Sequence, residues 1–266
     1  MIDKAMMQGI RRWFEAYTSG FRCKEPSEQY NLDLKAAHTE RVVANALAIA
    51  MGEGFDDRAT SVALATALLH DTGRWPQYAK YRTFRDVDSV NHGALGADVI
   101  AEAGVLRALE SGDADAVLHA VRYHNAFHVA HGGTVLAHES LLCVRDADKL
   151  DVWSVLADYY EQPASERSEA VGIGLPDTPG YSVGAVGMLM QGKVVMLSMI
   201  STLNDLKLLQ LSWVYDLNFR TSFALLAKRG LLERIAGALP QEPKVVEAAR
   251  SAIVYARSKA ASVAPL

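Results

Sequence analysis

The chain has 266 residues, half of them hydrophobic and 22% charged, with a formal net charge of −4 at pH 7. That length can bury a large core as one domain, or as one domain with a helical extension. The slightly acidic balance gives no electrostatic basis for binding a nucleic-acid polymer or a membrane. Its two cysteines, Cys23 and Cys143, make no disulfide framework, which fits a reducing cytoplasm.

Helical periodicity dominates and alternating strand-type runs are nearly absent, so the expected fold class is all-α. The N-terminal stretch MIDKAMMQGIRRWFEAY reads as an amphipathic helix over 3–19, without the apolar run and cleavage site of a secretory leader. Further helices are expected at 35–52, 57–70, 91–104, 113–126, 136–161, 183–209, 211–229, 230–238 and 243–261. Asp57, Asn91, Ser111 or Asp113, and Asn204 read as helix starts, while Gly52, Gly104 and Gly230 read as stops. The stretches 20–34, 72–90, 127–135 and 162–182 read as irregular. The last is rich in Pro and Gly and divides an N-terminal core from a C-terminal helical extension at about 183–262, within a single domain of 1–266.

The stretch 183–200 is greasy but broken by Gly184, Gly187, Gln191 and Lys193, so no membrane span is expected. Gly187 to Lys193 spells G-x-x-x-x-G-K, but no strand precedes it and Val194 follows, so the phosphate-loop reading fails. The Leu-, Trp-, Tyr- and Phe-rich segment from Leu208 to Leu239 reads as core or as the interface of a homodimer.

His70 and Asp71 end the apolar run Ala59–Leu69. An imidazole and a carboxylate at the mouth of a buried helix need a partner, and a divalent cation is the commonest one. Adjacent residues on a regular helix point about 100° apart, so the pair reaches one ion only at a helix end, which is where it lies. His38 shares its face with Val42, Ala46 and Ile49; His92 with Leu95, Gly96, Val99 and Ala103; His124 with Val117, Ala120 and Val121. Asp148 lies among Leu141, Val144, Val152 and Val155. Each polar group points inward, where an unpaired ion or imidazole is penalised. Ligand-type residues buried on separate helices point to a shared partner. His119, His128, His131 and His138 read as structural or solvent-exposed.

The order His38, His70-Asp71, then Ala147-Asp148-x-Leu150, resembles the HD-domain superfamily of metal-dependent phosphohydrolases over roughly 30–160. The further His92 in H-G-x-x-G and His124 in R-Y-H-N resemble the larger ligand set of its binuclear members. The resemblance implies an all-α helical bundle in which His38, His70, Asp71 and Asp148 bind a first metal. Asp71 then bridges to a second ion held by His92 and His124. Asp146 and Asp151 compete with Asp148 on periodicity, and the A-D-x-L pattern favours Asp148. Two departures stand out: Asn125 replaces a second histidine frequent in binuclear relatives, and no G-Y-P triplet follows, which disfavours the cyclic-dinucleotide phosphodiesterase branch.

His-rich ligation suits Mn, Fe, Co, Ni or Zn better than Mg, as one or two ions. Such an ion lowers the pKa of bound water from 15.7 to about 7 and neutralises charge developing on phosphate. Arg74 occupies the basic position of the H-D-x-G-K/R pattern, which the resemblance assigns to phosphate, and its planar fork suits paired oxygens. Asp71 and Arg74 are therefore the expected catalytic residues. Arg74, Lys80, Arg82 and Arg122 are the expected substrate-binding residues, and Trp75, Tyr78, Tyr81 and Phe84 are candidates to stack a base or sugar. The expected activity is hydrolysis of a small phosphate ester, a nucleotide by preference, as a phosphomonoesterase or phosphodiesterase. The alternatives are a di-iron oxygenase of the inositol-oxygenase type and a non-catalytic nucleotide sensor.

Overall fold

A computed structural model describes residues 1–129, 132–163, 165, 167 and 169–261; His131 lies outside the described residues. Among these there is no β-strand, as the helical periodicity requires. The chain divides into two compact units, Met1–Asp148 and Lys149–Leu266. The division falls ahead of the Pro- and Gly-rich stretch, inside the expected core of about 30–160, and the extension expected from 183 lies wholly within the second unit.

The first unit is built from α1 (Lys4–Ser19), α2 (Pro26–Glu53), α3 (Asp57–Leu69), α4 (Arg74–Tyr81), a 3-10 turn (Asp86–Asp88), α5 (His92–Ala103), α6 (Ser111–Tyr123) and the first half of α7 (Val135–Glu161). α3, buried from Ala59 to Leu69 along most of its length, packs against α1, α2 and α6, and α5 packs against α6. Ile10 and Phe14 of α1, Leu68 and Leu69 of α3, Trp75 of α4, Ile100 of α5 and Val121 of α6 share one buried cluster. Phe14 meets Trp75 edge-on, with ring centroids 5.4 Å apart, a favoured aromatic geometry.

Two departures from the expected elements matter here. α2 begins at Pro26 rather than at 35, because a proline at the first helical position loses no hydrogen bond there. The irregular stretch expected at 72–90 contains α4, which buries Trp75, Gln77 and Tyr78. Pro76 marks a loop in a one-dimensional reading, yet it sits in the first turn of α4, where its missing N–H costs nothing. The caps of the other helices follow ordinary chemistry: Asp56 accepts from the Ala59 N–H, and Asn91 from the Ala94 N–H.

The second unit holds α8 (Glu169–Gly172), α9 (Val183–Met190), α10 (Leu203–Ser212), α11 (Arg220–Arg229), α12 (Leu231–Gly237) and α13 (Pro243–Ala261). The helix expected over 183–209 is thus two helices. Gly192, at φ 68°, takes the left-handed conformation that ends α9. Thr202 then starts α10 with a capping box, its hydroxyl meeting the Asp205 N–H and the Asp205 carboxylate returning to the Thr202 N–H. Gly187 lies inside α9, which disposes of the phosphate-loop pattern structurally as well. No helix of the described residues is long and apolar enough to cross a membrane.

Candidate metal centre

Three glycines bring together the helix ends that carry the candidate donors. A Cβ on Gly73 would stand 2.1 Å from the His92 carbonyl oxygen and 2.7 Å from the Gly96 nitrogen. One on Gly93 would stand 2.9 Å from the Arg122 carbonyl oxygen and 3.0 Å from that of Val121. The turn between α3 and α4, the start of α5 and the end of α6 therefore meet backbone to backbone, which side chains at these positions forbid. His70 and Asp71 follow α3, His92 opens α5 and His124 closes α6, so this contact assembles four polar residues at one point. His38 enters from the middle of α2 and Asp148 from α7.

Asp71 is the centre of the cluster, and its two oxygens face different partners. Oδ2 lies 3.7 Å from His38 Nε2 and 3.6 Å from His70 Nε2. Oδ1 lies 3.4 Å from His92 Nε2 and 3.9 Å from His124 Nε2. Two donor groups result, His38–His70–Asp71 and Asp71–His92–His124, all five residues buried, and each group could hold a metal ion. Asp148 Oδ1 approaches the first group at 3.2 Å from His38 Nε2.

The outer hydrogen bonds set which ring nitrogens are free to ligate. His70 Nδ1 lies 2.7 Å from the Ala67 carbonyl and His124 Nδ1 lies 2.7 Å from that of Val121. A carbonyl only accepts, so both Nδ1 atoms carry the proton and both Nε2 atoms present a lone pair. His92 Nδ1 lies 2.7 Å from Asp86 Oδ2, with the same consequence. The His70 Nε2 lone pair is buried and has no hydrogen-bond partner. Neutral imidazoles turned inward by outer hydrogen bonds, around a carboxylate, are a donor set that fits a divalent transition metal.

Electrostatics agree with that donor set. Burial pushes the imidazoles of His70, His92 and His124 below the ordinary histidine range, and so keeps them neutral. Burial alone would raise the pKa of Asp71, but Lys35, His70 and Arg74 hold it well below the usual carboxylate range. Asp148, only partly buried at 30% side-chain exposure, is likewise held down, against desolvation, by His38. Asp86 is held down by His92 and Arg74.

The expected cationic residues are placed unequally. Arg74 lies at the centre, with Nε 3.3 Å from Asp71 Oδ1 and Nη1 on Gln77 Oε1, the Phe84 carbonyl and Asp86 Oδ1. Lys80 is exposed over the Tyr81 ring, Arg82 pairs with Glu28, and Arg122 pairs with Asp98. Among the described residues, none of these three side chains bonds to a member of the cluster. Of the aromatic candidates, Trp75 and Tyr78 are core, and Tyr78 stacks on Phe84 at 4.7 Å. Asn125 stands on the outer side of His92: its Nδ2 donates to Asp86 Oδ2 at 2.9 Å and lies 3.2 Å from His92 Nδ1.

Sequence reasoning missed Lys35, Gln77, Asp86 and Arg145. Lys35 Nζ bonds Asp71 Oδ2 at 2.8 Å, and its place three residues before His38 is a helical signal that could have found it. Asp86 sits by a 3-10 turn with no periodic signature. Gln77 donates to Asp86 Oδ1, and the Arg145 guanidinium donates to the His124 carbonyl at 2.8 Å, from far along the chain.

Residues 36–153 match the family model described as HD domain. No curated protein and no solved structure matches the chain.

Proposed function

We propose that the HD domain formed by residues 36–153 is a metal-dependent phosphohydrolase acting on a small phosphate ester, with a nucleotide as the favoured substrate class. The observation that carries this reading is Asp71, a buried carboxylate whose two oxygens face two separate pairs of histidine Nε2 atoms. His38, His70, Asp71 and Asp148 would hold one ion, and Asp71, His92 and His124 a second. The contact between Asp148 and His38 supports Asp148 over Asp146 and Asp151 as the last carboxylate. A bound Mn, Fe, Co, Ni or Zn ion supplies Lewis acidity, lowering the pKa of water towards 7 and neutralising charge on the phosphoryl oxygens.

The protein's own groups do the rest by position. Asp86 and the two backbone carbonyls fix the tautomers of His92, His70 and His124, so no ring must turn or lose a proton before ligating. Arg74 holds Asp71 and Asp86 in register through one guanidinium. The burial of the five donors excludes bulk water, which strengthens every charge interaction at the centre.

The test loads the protein with each of the five metals and screens nucleoside mono-, di- and triphosphates for phosphate release. Release that depends on metal and is abolished in Asp71→Ala, with loss of metal by elemental analysis, is the expected result. No release from any ester with any metal overturns the reading. Oxygen consumption by the iron-loaded protein would favour an oxygenase instead, and tight nucleotide binding without turnover a sensor.

A further inference from the structure

Two cations lie against Asp71, one on each oxygen, and they are not held alike. The Arg74 guanidinium has four acceptors: Asp71 Oδ1, Gln77 Oε1, the Phe84 carbonyl and Asp86 Oδ1. To take up a phosphate with the same atoms it would have to release groups that orient Asp71 and His92. Lys35 is different. Among the described residues its Nζ has one hydrogen-bond partner, Asp71 Oδ2 at 2.8 Å. Its other neighbour is the face of Phe84, 5.6 Å to the ring centroid. The Lys35 side chain keeps 21% of its exposure, whereas that of Asp71 keeps 3%. The ammonium therefore lies between the buried carboxylate and solvent, on a flexible four-carbon stem.

The oxygen that Lys35 occupies is the one facing His38 and His70. A divalent ion accepted by that histidine pair must share Asp71 Oδ2 with the ammonium or displace it, and like charges at such separation repel. A displaced ammonium has no second carboxylate among its contacts and has solvent on its outer side. A phosphate dianion arriving there would be its natural acceptor.

We infer that Lys35 is the mobile, substrate-contacting cation of this centre. It bonds Asp71 Oδ2, yields that oxygen to a divalent ion, and then donates to a phosphoryl oxygen of the substrate. This rests on the phosphohydrolase reading above. It places phosphate contact on a residue that the H-D-x-G-R pattern does not include, and leaves Arg74 as a positioning residue.

The experiment measures Mn²⁺ affinity by calorimetry, and then the affinity of the Mn²⁺-loaded protein for inorganic phosphate. Wild type, Lys35→Met and Lys35→Gln are compared, with folding checked by circular dichroism. In both variants Mn²⁺ should bind about tenfold more tightly, because its rival for Oδ2 is gone. Phosphate should bind about tenfold more weakly, because a charged donor is lost. An unchanged affinity for either ion in the folded variants overturns the inference. Weaker Mn²⁺ binding does so too, since Lys35 would then support Asp71 rather than compete for it. Failure of the phosphohydrolase reading shows separately, as wild-type protein that binds Mn²⁺ and phosphate yet releases no phosphate from any ester.

Discussion

The Nε2 atoms of His92 and His124 stand 3.0 Å apart, and each ring has its proton on the opposite nitrogen, held by Asp86 in one case and by the Val121 carbonyl in the other. Two lone pairs thus face each other at hydrogen-bond distance with no proton between them. That contact is repulsive in itself and becomes favourable when a cation sits against both nitrogens. Asp86→Ala removes the acceptor that fixes the His92 tautomer. We expect it to weaken binding at the second position by about 10–100-fold, the usual effect of losing such an outer partner, while the first ion is retained. Mn²⁺ titration followed by calorimetry distinguishes this from loss of both ions.

Arg74→Ala should do more than raise KM. The guanidinium spans Asp71 and Asp86, which belong to different parts of the centre, so its removal loosens both. The expected outcome is reduced metal content together with reduced kcat, and lysine should rescue it only in part, since a point charge cannot reproduce the fork. A rise in KM alone, with metal content intact by elemental analysis, would return Arg74 to the role of simple phosphate ligand.

Gly73→Ala should destabilise the protein by about 3 kcal/mol, at the upper end of ordinary overpacking. The added methyl would meet backbone atoms of His92 and Gly96, at 2.1 and 2.7 Å, and neither can turn aside as a side chain could. Separation of the α3–α4 turn from α5 should also lower affinity for the second ion. Thermal unfolding with and without Mn²⁺ measures both effects.

Acid should destabilise the metal-free protein well before any carboxylate is protonated. His70, His92 and His124 all have folded-state values below the ordinary 6.5, chiefly through burial. Above 6.5 both folded and unfolded forms are neutral and the histidines contribute nothing to the pH dependence. Below 6.5 the unfolded chain takes up protons that the folded one refuses. Stability then falls by up to about 1.4 kcal/mol per pH unit for each histidine. Asp71 and Asp148 act in the same sense but at lower pH: their contribution is complete above the ordinary 3.8 and is lost as pH falls further, through their depressed folded values. The melting temperature of chelator-treated protein should therefore decline from pH 7 to pH 5. A flat profile over that window would show that the three rings take up protons as readily in the folded protein as in the unfolded chain.

The buried His and Asp cluster was legible in the sequence because its signals are local. His70-Asp71 ends an apolar helix, and His38, His92 and His124 each share a face with apolar neighbours at helical spacing. Burial on a helix is a one-dimensional pattern, so the inward direction of these residues could be read before the structure. The all-α class was legible for the same reason. Helix limits were less so: α4 was hidden by Pro76 and Gly73, whose loop-like character disappears once Pro76 falls in a first turn and Gly73 is needed for close packing.

By itself, then, the sequence determined which residues face inward and what kind of chemistry they could share, because periodicity and residue type are properties of the chain. Only the tertiary structure decided how they are grouped and what surrounds them. That Asp71 turns a different oxygen to each histidine pair, that Asp86 and Arg145 stand behind His92 and His124, and that Lys35 rather than Lys80, Arg82 or Arg122 reaches the carboxylate all depend on contacts between helices. Spacing along one helix cannot specify such contacts. They follow from how closely the backbones approach at Gly73, Gly93 and Gly96, a distance set by packing in three dimensions.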